Sequence, residues 1–564
     1  MAEKIKKTVS PFIIIALIVV AVIIVFEVNN PVAEADNLGT SVTVGNVAPS
    51  FTAVTDDSST SGSPTNSGSD VTFTATATDS NGDQWKLLVC KTAGVSGTDC
   101  DGGEGDRWCV SSLVNSGTET SCSYTTGDGD APSQDWHSYA CDSTGCSSAE
   151  TTNSPFYVNR RPSFTAYQDD APKDPATTVT WTTTASDADS DDVTLYVCKT
   201  ASFTAPSTCN GGEWCHSSAG ASNPTCNTTT PRPDGDYEAY GYVVDEHGFE
   251  ASGGSHGTDS TLTVSNVAPS ITNTTIDLLD TDESGTLTLT TAQDETTGFL
   301  VKFIVTDNNS CQNISSGNEI SSALIHVRMS ELAQSSCDGD DSDNPNNCYQ
   351  NAQTGTSGTC VQDTSVDTCT GDTDTTVGWR CEFPLQYHAD PTTGTPTPQK
   401  DAYTWTVAVQ ATDDDSVTSA LVDDDDGNEL GLFMAYSVTE GSIGYGGPLA
   451  PEDDSSEQTT TVVATGNVGL DAEYSGTDMT SNGYTIVAGQ QKYDFTSSVG
   501  WDSMTYALTN SASEKELNCQ KTTTTASPAS KATYWVLRIP SGQESGSYTG
   551  TNTITGVTGE SGDW

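Results

Sequence analysis

A cysteine-bearing segment that occurs twice, roughly a hundred residues apart, most constrains what this chain can fold into. The first copy reads VTFTATATD at 71–79 and leads to Leu-Val-Cys at 88–90; the second reads VTWTTTASD at 179–187 and leads to Tyr-Val-Cys at 196–198. The distance from the aspartate to the cysteine is the same in both copies. Repetition at this period predicts tandem domains. Tandem domains that are cross-linked by cysteine favour a structural or binding role over catalysis.

Apolar residues and threonines alternate within the repeated segment. Val71, Phe73, Ala75 and Ala77 fall on one face, which is the period-2 pattern of a half-buried strand. The apolar fraction of the chain is 34%, but Thr, Val and Tyr are plentiful, and this composition favours sheet over helix or disorder. We therefore predict an all-β fold built of small sandwiches.

The charge balance excludes one class of partner. The chain has 20 basic and 77 acidic residues, a net charge of -57. A phosphate backbone would be repelled, so we predict no binding to nucleic acid. A surface of this kind keeps domains soluble and apart, and it attracts divalent cations.

Seventeen cysteines indicate disulfides in an oxidising compartment. The N-terminus agrees, because lysines precede an uncharged apolar run at 11–26, and Ala33-Glu34-Ala35 offers a small-residue cleavage site. We predict that 1–35 is a signal peptide or a retained anchor helix. In both cases the rest of the chain is extracellular or at the cell surface, and it meets the membrane only through this segment if it is not cleaved.

A short proline phrase punctuates the chain. Asn-Val-Ala-Pro-Ser at 46–50 recurs at 266–270, and Asn-Arg-Arg-Pro-Ser at 159–163 is a variant. Proline fixes φ and removes a ladder donor, which suits the crossing between two domains. The spacing predicts module 1 (36–158), module 2 (159–265), a larger module 3 (266–445), an acidic Pro/Gly linker (446–458) and module 4 (459–564).

Alternation also predicts particular strands in the last two modules. In module 3 we expect strands at 287–289, 299–305 and 403–411, and strand rather than helix at 323–332. In module 4 we expect 534–540 and 546–550 to be the two closing strands.

The cysteines are interpreted module by module. Four align between modules 1 and 2, with three possible pairings in each: Cys90, Cys100, Cys109 and Cys122 against Cys198, Cys209, Cys215 and Cys226. Cys141 and Cys146 are both missing from module 2, which predicts that they bond to each other. Module 3 has an even set for disulfides: Cys311, Cys337, Cys348, Cys360, Cys369 and Cys381. Cys519 is left without a partner in its module, and it is either a buried free thiol or one half of an intermolecular disulfide.

Acidic turns after the two long strands are the candidate metal sites. Alternating oxygen donors on a tight turn can converge on Ca²⁺, which takes six to eight oxygens. The same positions would also suit a solvated Asx-rich turn. The candidate ligands are Asp79, Asn81 and Asp83 in module 1, and Asp187, Asp189 and Asp191 in module 2.

Catalytic and carbohydrate signals are weaker. Gly253-Gly254-Ser255-His256-Gly257 matches a nucleophile pattern but lies in a polar loop, so we predict no enzyme activity and no catalytic residue. Four sequons offer glycosylation sites, at Asn227, Asn273, Asn308 and Asn313. Exposed tryptophans would stack on carbohydrate, and packing against a disulfide is the alternative for those beside cysteine. The tryptophans are Trp85, Trp108, Trp136 and Trp214.

The N-x-A-P-S start, the V-T-F-T-A-T-A-T-D strand and the acidic turn after it resemble a known architecture. They are similar to the tandem immunoglobulin-like modules of prokaryotic cell-surface proteins, including polycystic-kidney-disease-type and bacterial cadherin-like repeats. The resemblance covers modules 1 and 2 well and the rest partly, and this chain departs from it in being rich in cysteine. It implies tandem immunoglobulin-like β-sandwiches with surface-layer, adhesive or filament-forming roles.

We therefore expect a non-catalytic structural protein of the cell envelope, of surface-layer or filament type. Its expected partners are copies of itself or other envelope proteins. The alternative is an adhesin that binds carbohydrate or another cell surface.

Overall fold

The computed structural model describes residues 40–289, 298–312, 317–337, 344–350, 359–497 and 500–564. The predicted signal peptide or anchor at 1–35 and the sequon at Asn313 lie outside these residues. Within the described ranges, helix occurs only as 3-10 turns of three or four residues, and the fold is all-β as predicted. No described helix has the length and apolarity needed to span a membrane.

The described chain divides into two compact units. The first comprises residues up to 65, 69–126 and 133–157, which is most of module 1. The second comprises 66–68, 127–132 and 158–564, and it contains modules 2 to 4. Each module contains two main antiparallel sheets that face each other, the layout of an immunoglobulin-like sandwich, and modules 1, 2 and 4 add further sheets of two or three strands.

Module 1 places β1, β3 and β8 in one sheet and β10, β4 and β7 in the other. Strand β3 alternates buried and half-exposed residues, and Phe73 packs against Trp136 with ring centroids 5.2 Å apart. The strands are β1 Ser50–Thr55, β2 Thr65–Asn66, β3 Asp70–Thr78, β4 Lys86–Cys90, β5 Val95–Ser96, β6 Asp99–Cys100, β7 Arg107–Val110, β8 Glu119–Thr125, β9 Ser133–Gln134, β10 His137–Cys141 and β11 Phe156–Asn159.

Module 2 repeats this plan. Its sheets run β12-β13-β18 and β17-β14-β20-β21, and its core includes Trp181, Leu195 and Val243. The strands are β12 Ser163–Asp169, β13 Thr178–Ser186, β14 Val193–Cys198, β15 Phe203–Thr204, β16 Thr208–Cys209, β17 Glu213–His216, β18 Cys226–Thr229, β19 Gly235–Tyr237, β20 Tyr240–Asp245, β21 Thr258–Asp259 and β22 Leu262–Val264.

Module 3 packs two larger sheets, β23-β25-β29-β28 with β24 beside β25, and β27-β26-β30-β31. The strand preferred over a helix at 323–332 is confirmed, since Ile320–Met329 pairs along its length with β30. The strand predicted at 287–289 is wrong, because Leu287 makes one isolated bridge to Leu430. The strands are β23 Ser270–Ile271, β24 Asp277–Asp280, β25 Gly298–Thr306, β26 Ile320–Met329, β27 Cys348–Gln350, β28 Thr359–Gln362, β29 Thr376–Pro384, β30 Trp405–Asp413 and β31 Val422–Asp423.

Module 4 is a sandwich of β32-β33-β40-β37-β38 against β39-β34-β41. Its core centres on Tyr474 and Tyr493, whose rings stack with centroids 4.6 Å apart, and on Trp535. The strands are β32 Tyr436–Val438, β33 Gln458–Ala464, β34 Leu470–Gly476, β35 Met479–Ser481, β36 Tyr484–Ile486, β37 Gln491–Asp494, β38 Tyr506–Ala507, β39 Ser513–Cys519, β40 Ser530–Leu537 and β41 Asn552–Thr558.

Two predictions for module 4 need correction. The predicted linker at 446–458 is part of this module, because β32 already pairs with β33 and Tyr445 is buried in the core. Within it, the backbone N–H groups of Glu452 and Ser455 donate to the carbonyls of Ile539 and Leu537, and such backbone contacts are not visible in the composition. The final strand is β41, not 546–550, where Thr549 makes one bridge to Thr480.

Every cysteine but one is paired. The structure joins Cys141 to Cys146 and selects one of the three open arrangements in each of modules 1 and 2. The other bonds are Cys90–Cys100, Cys109–Cys122, Cys198–Cys209, Cys215–Cys226, Cys311–Cys369, Cys337–Cys348 and Cys360–Cys381. Cys519 is a buried free thiol, and burial raises its pKa to about 11. This thiol is therefore protonated at neutral pH and is shielded from other chains.

A buried lysine joins modules 3 and 4. Lys521 Nζ of module 4 donates to Asp390 Oδ1 and Asn346 Oδ1, each at 2.8 Å, and to the carbonyl of His388 at 2.7 Å. Burial lowers the pKa of Lys521, and Asp390 opposes that shift. Burial and the nearby Lys521 lower the pKa of His388 to about 4, so its ring is neutral at pH 7. Lys521 is thus the cation that balances Asp390.

Replacement of this lysine tests its role. We expect Lys521→Met to destabilise the protein by about 3 kcal/mol, because the carboxylate of Asp390 would remain partly buried without its counter-charge. The double variant Lys521→Met with Asp390→Asn should recover most of that loss, measured by urea unfolding of the full chain. Equal stability of the single variant and the wild type would contradict this interpretation.

Candidate functional site

An aspartate follows the long strand in each of the first three modules and closes the next turn. One oxygen of each carboxylate accepts a hydrogen bond from the backbone N–H two residues further on, which makes an Asx turn. The bonds run from Asn81 to Asp79 (2.7 Å), from Asp189 to Asp187 (2.6 Å) and from Asn309 to Asp307 (2.8 Å). The alignment of modules 1 and 2 thus extends to module 3, whose equivalent residues sequence analysis missed.

The other oxygen of each of these carboxylates is buried. Asp79, Asp187 and Asp307 each have an Oδ2 that finds no hydrogen-bond partner among the described residues. Buried polar atoms without a partner are uncommon, because the lost hydration is not replaced. Each turn therefore presents one carboxylate oxygen that has the capacity for a further ligand.

The turn also holds the chain that leads into the module. The side chain two residues after the aspartate accepts the backbone N–H of a linker residue in all three modules. The bonds run from Val47 to Asn81 Oδ1 (2.9 Å), from Arg160 to Asp189 Oδ2 (2.6 Å) and from Val267 to Asn309 Oδ1 (2.6 Å). The linker therefore cannot swing away from the turn without the loss of this bond.

The linker asparagine of the proline phrase makes a second attachment. Its Nδ2 donates to an aspartate at or directly after the C-terminal end of β10, β20 or β30. The bonds run from Asn46 to Asp142 (2.7 Å), from Asn159 to Asp245 (2.9 Å) and from Asn266 to Asp413 (3.0 Å). Sequence analysis found the phrase through its proline and missed the asparagine as the residue that bonds.

These contacts form one arrangement, the junction clamp, which occurs three times. A junction clamp consists of a linker asparagine, a turn aspartate, the residue two positions after it and a second aspartate. The three are Asn46, Asp79, Asn81 and Asp142; Asn159, Asp187, Asp189 and Asp245; and Asn266, Asp307, Asn309 and Asp413.

The candidate calcium ligands of module 1 belong to its junction clamp. Asp79, Asp83 and Asp142 each have a carboxylate oxygen within 4.8 Å of the others. Asn81 instead uses its side-chain oxygen on the linker. The structure thus brings two of the three predicted residues together and adds Asp142.

The candidate ligands of module 2 face basic groups. Asp187, Asp189 and Asp191 have oxygens within 4.8 Å of one another. Arg160 Nε donates to Asp189 Oδ1 at 2.7 Å, and His247 Nε2 lies 3.7 Å from Asp191 Oδ2. Burial raises the pKa of Asp191 to about 6, although His247 opposes the rise. The positive charge of Arg160 reduces the need for a metal ion here.

A third acidic cluster lies where modules 2 and 3 meet. Asp234, Glu319 and Asp414 each place a carboxylate oxygen within 4.8 Å of the others. None of these three residues was among the candidate ligands that the sequence offered. The three residues are far apart along the chain, so no spacing pattern indicates the cluster.

The tryptophans proposed to stack on carbohydrate are not free to do so. Trp85 and Trp136 are fully buried, and that part of the prediction is wrong. Trp108 holds Lys91 over its ring at 4.7 Å, and Trp214 holds Lys199 at 4.3 Å. These cation–π pairs cover the ring faces.

The described sequons lie at the surface. Asn227, Asn273 and Asn308 are exposed, as glycosylation requires. Their modification remains a prediction.

No protein-family model matches the sequence. No curated protein is significantly similar to it. Solved structures that match the chain include the fibronectin(III)-like modules of Clostridium thermocellum CbhA, at 18% identity over 38% of this chain and 94% of that chain, with a TM-score of 0.20. A 1.5-MDa bacterial ice-binding adhesin matches at 13% identity over 69% of this chain and 99% of that chain, with a TM-score of 0.21. Similarity at this level carries no argument about function.

The junction clamp makes a direct prediction. We expect Asn266→Ala to destabilise module 3 by about 1–3 kcal/mol, because the fully buried Asp413 would lose a donor. Thermal unfolding of the full chain measures the effect. Asn273→Ala is the matched control, since this asparagine is exposed and should change stability little. An equal effect of the two substitutions would show that the clamp does not stabilise the junction.

Proposed function

We propose that this chain is a non-catalytic structural protein of the cell envelope, a surface-layer or filament-type component. The observation that carries the proposal is the junction clamp, which ties the start of three successive modules to the body of each module. A protein that must hold shape outside the cell needs such fixed starts. An enzyme would instead need a pocket with converging catalytic groups.

Two further features support a structural role. Eight disulfides restrict the unfolded chain within modules 1 to 3, as extracellular use requires. Module 4 is joined to module 3 by the buried Lys521. We propose copies of this chain or other envelope proteins as partners.

Calcium is part of the proposal at the acidic turns. Asp79, Asp83 and Asp142 are the favoured ligands in module 1, because no basic side chain forms an ion pair with them among the described residues. Asp187, Asp189 and Asp191 are the weaker candidate, because Arg160 already neutralises Asp189. Bound cations would also reduce repulsion between copies that each carry a charge of -57.

Imaging of the cell surface tests the structural role. We expect cryo-electron tomography with immunogold labelling to place the protein in a regular lattice or in filaments on the cells that make it. Deletion of the gene should remove that layer. A scattered distribution of label, with the envelope unchanged after deletion, would contradict the proposal.

A cleft in module 4 favours the second candidate, an adhesin for carbohydrate. The cleft has a volume of about 520 Å³ and is lined by Tyr445, Gln491 and Asn552. Tyr445 and Asn552 both donate to Gln491 Oε1, at 2.9 and 2.7 Å, which fixes the amide. The buried Nε2 of Gln491 has no partner among the described residues, so it remains a donor for a sugar hydroxyl.

A glycan array tests this candidate. If the protein is an adhesin, the full chain should bind a defined glycan, and Gln491→Ala should weaken that binding by about 5- to 150-fold, because one buried donor is worth about 1–3 kcal/mol. Asn273→Ala, in module 3, is the control and should leave binding unchanged. The absence of any bound glycan would favour the structural role.

A further inference from the structure

Three carboxylates from distant parts of the chain converge at the junction of modules 2 and 3. Asp234 precedes β19 in module 2, Glu319 precedes β26 in module 3, and Asp414 follows β30 in module 3. One oxygen of each lies within 4.8 Å of the other two. The cluster therefore takes ligand atoms from both modules.

The burial of this cluster distinguishes it from an ordinary acidic surface. Glu319 is fully buried, and neither of its carboxylate oxygens has a hydrogen-bond partner among the described residues. Asp307 of the junction clamp is 1% exposed, and its Oδ2 is also without a partner. A buried carboxylate that lacks both donor and counter-charge is strongly unfavourable.

Electrostatics agrees with this geometry. Burial, followed by repulsion from Asp414 and Asp234, raises the pKa of Glu319 to about 8. Burial and neighbouring aspartates raise the pKa of Asp307 to about 7. Among the described residues, no lysine, arginine or histidine forms an ion pair with Glu319, Asp307 or Asp234. At the junction of module 2 with its own linker, Arg160 pairs with Asp189, and among the described residues Glu319 and Asp307 have no such basic partner.

We propose that Asp234, Glu319 and Asp414 bind one Ca²⁺ ion between modules 2 and 3. The donors are all oxygens, which excludes the nitrogen and sulfur sites typical of zinc. Three carboxylates supply up to six oxygens, within the range that calcium takes, whereas magnesium keeps most of its water and demands a stricter octahedron. The site is a property of the junction and does not depend on the envelope role.

The junction is held in place without the ion. Asn309 Nδ2 of module 3 donates to the carbonyls of Ser265 (2.9 Å) and Arg232 (3.2 Å) in module 2, and Arg232 Nη1 donates to the carbonyl of Asn308 (3.1 Å). The ligands are therefore positioned before calcium binds. The ion would add a cross-link between two modules that already touch, and would stiffen them.

Calorimetric titration and thermal unfolding test the site. The full chain is stripped with EDTA and titrated with CaCl₂ in 150 mM NaCl, and the same samples are melted with and without calcium. We expect Glu319→Gln to remove one equivalent of bound calcium. The rise in Tm that calcium causes should be roughly 5 °C smaller in this variant than in the wild type. In EDTA this variant should be at least as stable as the wild type, because it leaves no ionisable carboxyl at this buried position.

A second ligand variant and a control variant complete the test. Asp414 is exposed, so the Asp414→Asn variant should fold normally. It should nevertheless bind one Ca²⁺ ion fewer than the wild type. Asp401→Asn, an exposed aspartate outside every acidic cluster, is the matched control and should keep the wild-type stoichiometry. Unchanged stoichiometry and Tm response in both Glu319→Gln and Asp414→Asn would overturn the site. An equal response of the wild type to MgCl₂ would overturn the assignment to calcium.

Discussion

Burial of one aspartate carboxylate after a long strand is the constraint on which the module starts depend. A buried carboxylate needs donors, and the nearest are the N–H groups of its own turn, so the turn must close. In the closed turn, the residue two positions on meets the linker backbone, as Asn81 meets Val47. The linker asparagine then reaches a second aspartate on a neighbouring strand. The path of the chain into each of three modules follows from this series of bonds.

The sandwiches of modules 1 to 3 are small, and disulfide bonds add to the stability that their hydrophobic cores provide. Seven of the eight disulfides close short loops, with sequence separations between 5 and 21 residues. Cys109–Cys122 and Cys215–Cys226 each link the two main sheets of their module, whereas Cys360–Cys381 joins two paired strands. Cys311–Cys369, with a separation of 58, is the exception. Each bond restricts the unfolded chain more than the folded one. Module 4 has no disulfide and relies on an aromatic core around Tyr474 and Trp535, together with the buried Lys521 at its border.

The acidic turns of modules 2 and 3 have similar geometry but differ in the basic side chains that lie near them. In module 2, Arg160 and His247 approach the turn carboxylates, which makes that turn largely self-sufficient. At the border of modules 2 and 3, Glu319 and Asp307 are more deeply buried, and no basic side chain pairs with them among the described residues. A bound cation would therefore stabilise the border of modules 2 and 3 more than it would stabilise the acidic turn of module 2. A surface of high negative charge outside the cell would raise the local concentration of divalent ions.

The all-β class, the long strands such as Asp70–Thr78 and the pairing of Cys141 with Cys146 could be predicted from the amino-acid sequence, because alternation, turn residues and a joint loss of two cysteines are visible among neighbouring residues. The partners of the remaining cysteines could not be predicted, and the packing of the folded chain established them. It also placed residues 436–445, predicted in module 3, and the predicted linker 446–458 in module 4, and it reduced the predicted strand 287–289 to a single bridge. The cluster of Asp234, Glu319 and Asp414 was equally hidden. The physical reason is that local preference reports on a few adjacent residues, whereas convergence of distant side chains depends on strand register and on how one module packs against the next.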